Sequence, residues 1–203
     1  MKKIGSIGLG AMGGSYARFL IENYYKVYGL DPDSKNSSTF TSLGGILLHN
    51  INDLIDNCDV IHVCTPPVTH EPIVIEALKK DKHVIVEKPF TGYFGDGSED
   101  FNGDTFSRKI GLEKTLESIK RMLDAEKNSQ GKIMYAENWV YAPAIQKERE
   151  VIEKTGAQIL WIQAQQSHSG SHSKDYGIWK LSGGGSLMGK GAHPLTAAIY
   201  LKH

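Results

Sequence analysis

The feature that most constrains this chain is Gly8-Leu9-Gly10-Ala11-Met12-Gly13, glycines spaced G-x-G-x-x-G between a short apolar run and a helix-like stretch. The first glycine permits a tight turn, the second opens the backbone to a pyrophosphate, and the third lets helix and strand pack closely. Phosphates then rest on a helix N-terminus, whose free N–H groups and dipole favour anions. Glycine-rich turns without ligands are common, so the context carries the argument. Ile4 to Gly8 reads as a strand and Ala11 to Asn23 as a helix, with Tyr16, Phe19 and Leu20 at helical spacing. A second strand, Lys26 to Leu30, is closed by Asp31, eighteen positions after Gly13. The combination predicts a dinucleotide site built on Gly8, Gly10, Ala11, Met12 and Gly13, with Asp31 accepting from the adenosine ribose hydroxyls. A carboxylate there repels a 2′-phosphate, so NAD is expected over NADP. Asp31 before Pro32 is also a common turn starter, and both roles can hold together.

The alternation continues down the chain. Ile46 to Leu48 is a weak third strand, Ile51 to Ile55 a short helix, Val60 to Cys64 a strand, Val68 to Lys80 a helix and His83 to Val86 a strand. Strand and helix at these lengths imply right-handed crossovers and a mostly parallel sheet covered by helices. Runs such as VIHVC and HVIV lack alternation, as strands buried on both faces do. Residues Thr91 to Ser107 are acidic and glycine-rich without periodicity, yet Tyr93, Phe94, Phe101 and Phe106 recur in them. They read as a surface insertion, about 91–110. Gly111 to Lys127 reads as an amphipathic helix with Leu112, Leu116, Ile119 and Leu123 on one stripe. Lys132 to Glu137 is a strand, Ala144 to Lys154 a helix, and Gln158 to Gln166 a long alternating strand. A last apolar helix runs to His203. The expected fold is α/β: a doubly wound parallel sheet over residues 1–137, then the beginning of an α+β open-sheet domain over 138–203. One long strand does not close a second domain, because it leaves two unpaired edges. The chain is therefore expected to be a fragment, or to take partner strands from elsewhere.

Charge and composition exclude several classes. Lys+Arg 23 balances Asp+Glu 23, which removes the basic surplus that a nucleic-acid binder needs. No apolar run reaches the ~18 residues of a membrane span, and no signal peptide is expected, which points to a cytoplasmic chain. The two cysteines, Cys58 and Cys64, support neither a disulfide framework nor a four-ligand zinc site and read as small buried hydrophobes.

Two further motifs fall at strand carboxyl ends. One is Cys64-Thr65-Pro66-Pro67 with His70 just inside the next helix; the other is Glu87-Lys88-Pro89. Ligands of open parallel sheets bind along that edge, so Thr65, Pro66, Pro67, His70, Glu87 and Lys88 join the glycine turn as cofactor-site candidates. Trp161 and Trp179 read as packing residues. Tyr141 and Pro143 are expected at an interdomain joint.

From GLGAMG through TPPVTH and EKP to GGGSLMGKGAHP, the chain resembles the glucose-fructose oxidoreductase, inositol dehydrogenase and rhizopine catabolism (Gfo/Idh/MocA) family of NAD(P)-dependent oxidoreductases. EKP is the most specific part of the match. The resemblance implies hydride transfer between a nicotinamide cofactor and a sugar, polyol or related hydroxy compound, and a homo-oligomer built through the second domain's sheet. Lys88 matches the family's active-site lysine, Gly183-Gly184-Gly185 its glycine run, and His193 the acid/base histidine. Where the family often carries aspartates four before and three after that histidine, this chain has Gly189 and Thr196. Lys190, or His168 and His172 of a polar loop, would then assist at the substrate. Lacking carboxylate or cysteine companions, His168 and His172 read as substrate-facing, and no metal is expected. The alternative is a catalytically inactive NAD(P)-binding regulatory or scaffold protein on the same fold.

Overall fold

In the computed structural model, which describes residues 2–167 and 177–202, strands β1 (Ile4–Ile7), β2 (Val27–Leu30), β3 (Ile46–Leu47), β4 (Val60–Val63), β5 (His83–Val86) and β6 (Ile133–Tyr135) form one sheet. Every pairing is parallel and the order is β3-β2-β1-β4-β5-β6. Helices α1 (Ala11–Glu22), α2 (Ser34–Ser42), α3 (Ile51–Asn57), α4 (His70–Lys79) and α5 (Arg108–Lys127) make the connections. The order reverses between β1 and β4, which opens a crevice at their carboxyl ends. Beyond the sheet lie α6 (Pro143–Thr155), α7 (Trp179–Ser182), α8 (Ser186–Gly189) and α9 (Ala192–Lys202). No helix among the described residues is long and apolar enough to cross a membrane.

Apolar strands buried on both faces explain the doubly wound arrangement. Ile61, Val63, Val84 and Val86 are fully buried against Leu54 and Ile55 of α3, Val74 and Leu78 of α4 and Met122 of α5. A smaller cluster of Leu9, Ala17, Val27 and Phe40 packs α1 and α2 near β2. Helix starts follow their side chains: Asp33 caps α2 through the Lys35 and Asn36 N–H groups, and Asn50 caps α3 in the same way.

Three expectations need correction. Gln158 to Gln166 is not a strand: no ladder forms there, and Leu160 and Trp161 are 87% and 74% exposed. Alternation marks a segment suited to a sheet, but a strand exists only through a neighbour's backbone, and none of the described residues supplies one. Trp161 is thus no core packing residue, whereas Trp179 is, donating Nε1–H to the Tyr93 carbonyl at 2.9 Å and meeting Phe106 edge-on. The stripe chosen on α5 is the wrong face. Leu112, Leu116 and Leu123 are exposed, while Gly111, Ser118 and Met122 are buried. Small residues face inward because the aromatic insertion approaches closely; a Cβ on Gly111 would meet the Phe106 ring at less than contact distance. Met122→Ala is therefore expected to destabilise by about 2–5 kcal/mol, and Leu116→Ala by less than about 0.5, in chemical denaturation.

Candidate active site

Four segments meet at the sheet's carboxyl edge, each immediately after a strand. Behind β1, the three glycines do three different jobs. Gly8 turns at φ +86°, and a Cβ there would lie 2.7 Å from the Cys64 carbonyl. A Cβ on Gly13 would overlap the Gly8 carbonyl, so close packing of α1 on β1 excludes any side chain. Around Gly10 there is open space, with nothing within 4 Å of the same probe position. Gly10 also starts α1 without a side-chain cap, leaving first-turn N–H groups for an anion. Ala11 and Met12 follow on the exposed start of the helix.

Asp31 ties this turn to β2. Its carboxylate accepts the Leu9 N–H at 2.6 Å, the Asp33 N–H at 2.7 Å and the Asn36 side-chain amide at 3.3 Å. A carboxylate offers about four acceptor positions, so one remains for a ribose hydroxyl. Beside it, a groove of about 320 Å³ is lined by Leu9, Gly10, Ser15, Arg18, Asn36 and Phe40. The turn role of Asp31 is thus visible in its hydrogen bonds, with acceptor capacity to spare. Open space at Gly10, an uncapped helix start and a neighbouring acceptor fit a dinucleotide.

Behind β4, Thr65 and Pro66 are half-buried and Pro67 is buried. The Thr69 hydroxyl donates to Thr65 Oγ1 at 2.6 Å, or to the Pro66 carbonyl at 2.8 Å. His70 is fully buried, with Nε2 3.0 Å from the Thr65 carbonyl and Nδ1 3.1 Å and 3.3 Å from those of Pro89 and Phe90. Its ring is spent on the backbone, so its place in the site is positional: it clasps the edge loops after β4 and β5 together.

Behind β5 come Glu87 and Lys88. Burial pushes the Glu87 carboxyl above the usual carboxylate range; Lys88 and His193 pull the other way, and Glu137 adds to the rise. Lys88 donates its Nζ–H to the Gly189 carbonyl at 3.1 Å. At position 189, where the resemblance implies an aspartate, a backbone oxygen meets the lysine instead.

Behind β6 stands the residue that sequence reasoning missed. Glu137 is 4% exposed, and its Oε1 and Oε2 lie 2.8 Å and 2.7 Å from His193 Nδ1. Its Oε1 also accepts the Trp139 N–H at 2.9 Å, and the Trp139 ring stacks on the imidazole at 5.4 Å with the planes 10° apart. The carboxylate fixes the tautomer with the proton on Nδ1, leaving Nε2 as the ring's acceptor atom. Glu137 had a signal: it ends the predicted strand Lys132 to Glu137, at the same edge as the other site residues.

The glycine run is held by the insertion. Gly183 (φ +72°) accepts the Tyr93 N–H at 3.1 Å, and a Cβ there would press into the Phe94 ring. Lys190 closes α8, and its carbonyl accepts the His193 N–H at 3.2 Å. Thr196 sits half-buried within α9. His168 and His172 lie outside the described residues.

Comparison with known proteins gives a consistent picture. Residues 2–99 match the GFO_IDH_MocA family model, described as an oxidoreductase family with an NAD-binding Rossmann fold. Over 92 residues the chain is 37% identical to glucose-6-phosphate 3-dehydrogenase of Bacillus subtilis (strain 168), covering 44% of this chain and 26% of that protein. It is 32% identical to inositol 2-dehydrogenase of Rubrobacter xylanophilus over 92 residues, 42% of this chain and 26% of that one. The fold of a levoglucosan dehydrogenase, solved with NADH and levoglucosan, superposes with a TM-score of 0.73 at 22% identity, covering 98% of this chain and 53% of that one. The matches thus span about a quarter of each curated relative and about half of the solved enzyme.

Proposed function

We propose, from the match of residues 2–99 to the GFO_IDH_MocA oxidoreductase family model, an NAD-dependent oxidoreductase acting on the CH–OH group of a sugar, polyol or related hydroxy compound. The observation that carries the reading is the convergence of Lys88, Glu137 and His193 within the Glu87 environment, at the edge where the glycine turn opens. A rigid acid/base pair beside an ammonium is what alcohol oxidation asks of a protein. His193 Nε2 takes the hydroxyl proton, while Glu137 stabilises the resulting imidazolium through Nδ1–H. Lys88 stabilises the developing alkoxide. Bound NAD supplies the hydride acceptor. For carbonyl reduction, the same groups return the proton. The reading includes residues 138–203 as part of a second, substrate-side domain, a homo-oligomer and a cytoplasmic location.

The glycine turn, Asp31 and the groove beside them are the part of this reading that holds the cofactor. Calorimetric titration is expected to show tighter binding of NAD(H) than of NADP(H), because a 2′-phosphate beside Asp31 meets a like charge. Asp31→Ser should narrow that gap. It should also weaken both cofactors, since the Leu9 N–H loses its acceptor. Equal affinities in the unmodified protein would leave Asp31 as a turn residue alone. Turnover itself is tested with a panel of sugars and polyols, followed by NADH fluorescence. Cofactor binding without turnover of any panel member would count against the proposed substrate class.

A further inference from the structure

Three side chains that the mechanism above does not use together gather on one face of the sheet. His62 and Cys64 are two apart along β4 and its end, so they share a face. The β4–β5 register pairs His62 with Ile85 and Val63 with Val86, which brings Cys64 beside Glu87 on that same face. The ligating atoms of His62, Cys64 and Glu87 lie within 4.8 Å of one another. Both His62 Nε2 and Glu87 Oε1 are buried without a hydrogen-bond partner. Two orphaned polar atoms in one buried cluster are costly unless something satisfies them. Tyr16 of α1 packs on the His62 ring at 4.6 Å, holding it over the cluster.

We propose that His62, Cys64 and Glu87 form a binding site for a thiophilic divalent cation of the zinc class. One sulfur, one imidazole nitrogen and one carboxylate oxygen make the mixed donor set that zinc accepts, whereas calcium and magnesium favour all-oxygen shells. Tetrahedral zinc holds such donors about 3.3–3.8 Å apart, so side-chain rotation has to close the set by about 1 Å. Binding releases the Cys64 thiol proton, and the dication offsets the negative charge of the thiolate and carboxylate that hold it. Three protein donors leave a fourth tetrahedral position for water or another ligand. By sequence Cys64 reads as a small buried hydrophobe; the third donor lies twenty-three residues further on, and only strand pairing brings it near.

The test is a cobalt titration of the chelator-treated protein. One Co²⁺ per chain is expected, with a thiolate-to-metal charge-transfer band that Zn²⁺ abolishes by displacement. Because the chain has only two cysteines, the band is assignable. Cys64→Ser should remove it and Cys58→Ser should keep it. His62→Val, which suits a buried strand, should weaken zinc at least about 10-fold in chelator competition, with folding of each variant checked by circular dichroism. Cobalt binding without a thiolate band, a band that survives Cys64→Ser, or unchanged zinc affinity in folded His62→Val would overturn the proposal.

Discussion

Replacing His193 by alanine is expected to lower kcat by about 100-fold or more while leaving NAD affinity nearly unchanged, because the ring acts on a proton that moves only in the transition state. Glu137→Gln should cost a comparable factor. The amide keeps the size of the side chain but cannot stabilise the imidazolium, and its NH₂ group favours the wrong tautomer. The informative measurement is the double variant. Groups acting as a unit are not additive, so His193→Ala combined with Glu137→Gln should be little slower than His193→Ala alone. Independent, multiplying losses would separate Glu137 from the acid/base step. Lys88→Ala should also cost about 100-fold in kcat, through loss of charge stabilisation at the alkoxide.

Glu137 is hidden in the sequence because its partner, His193, is distant along the chain. The resemblance directed attention to positions on the helix that carries His193, and those positions hold Gly189 and Thr196. The carboxylate instead arrives from the end of β6, 56 residues earlier, and only the sheet order places that strand end beside the helix. Periodicity reports which local face is apolar; it carries no information on which distant segment will cover it. For the same reason the Leu112–Leu123 stripe was mistaken for the inward face of α5. The parallel sheet, by contrast, was legible almost throughout. Strands buried on both faces are short apolar runs, and glycine, proline and asparagine punctuate them at nearly every end. The glycine turn was legible because much of its chemistry is local: Gly8 turns the chain at φ +86°, and Gly13 packs on the Gly8 carbonyl five residues away. Gln158 to Gln166 shows the converse, a pattern suited to pairing in a segment that pairs with nothing among the described residues.

Gly13→Val is expected to abolish detectable NAD binding and to destabilise the chain by several kcal/mol. A Cβ at this position would lie inside contact distance of the Gly8 carbonyl, and that atom is backbone, so α1 has to move away from β1. Moving α1 displaces the uncapped helix start proposed for the pyrophosphate. Gly10→Ala is the matched control. Its Cβ would enter open space, so stability should change by less than about 1 kcal/mol, while the added methyl occupies the approach to the phosphates and weakens NAD. Thermal unfolding and calorimetry on the same samples separate the two effects. Gly13→Val binding NAD normally would contradict the assignment of this turn.

The central claim is that hydride passes between a carbinol carbon and a nicotinamide cofactor held at this sheet edge. The most direct measurement follows the hydride itself. A sugar or polyol that supports turnover is supplied with deuterium on the carbon that is oxidised, and the reduced cofactor is examined by mass spectrometry. The account predicts one deuterium per cofactor, carried on the nicotinamide ring, and its loss in parallel with turnover in Lys88→Ala and His193→Ala. Substrate conversion that leaves the cofactor unlabelled, or labelling that survives both substitutions undiminished, would contradict it.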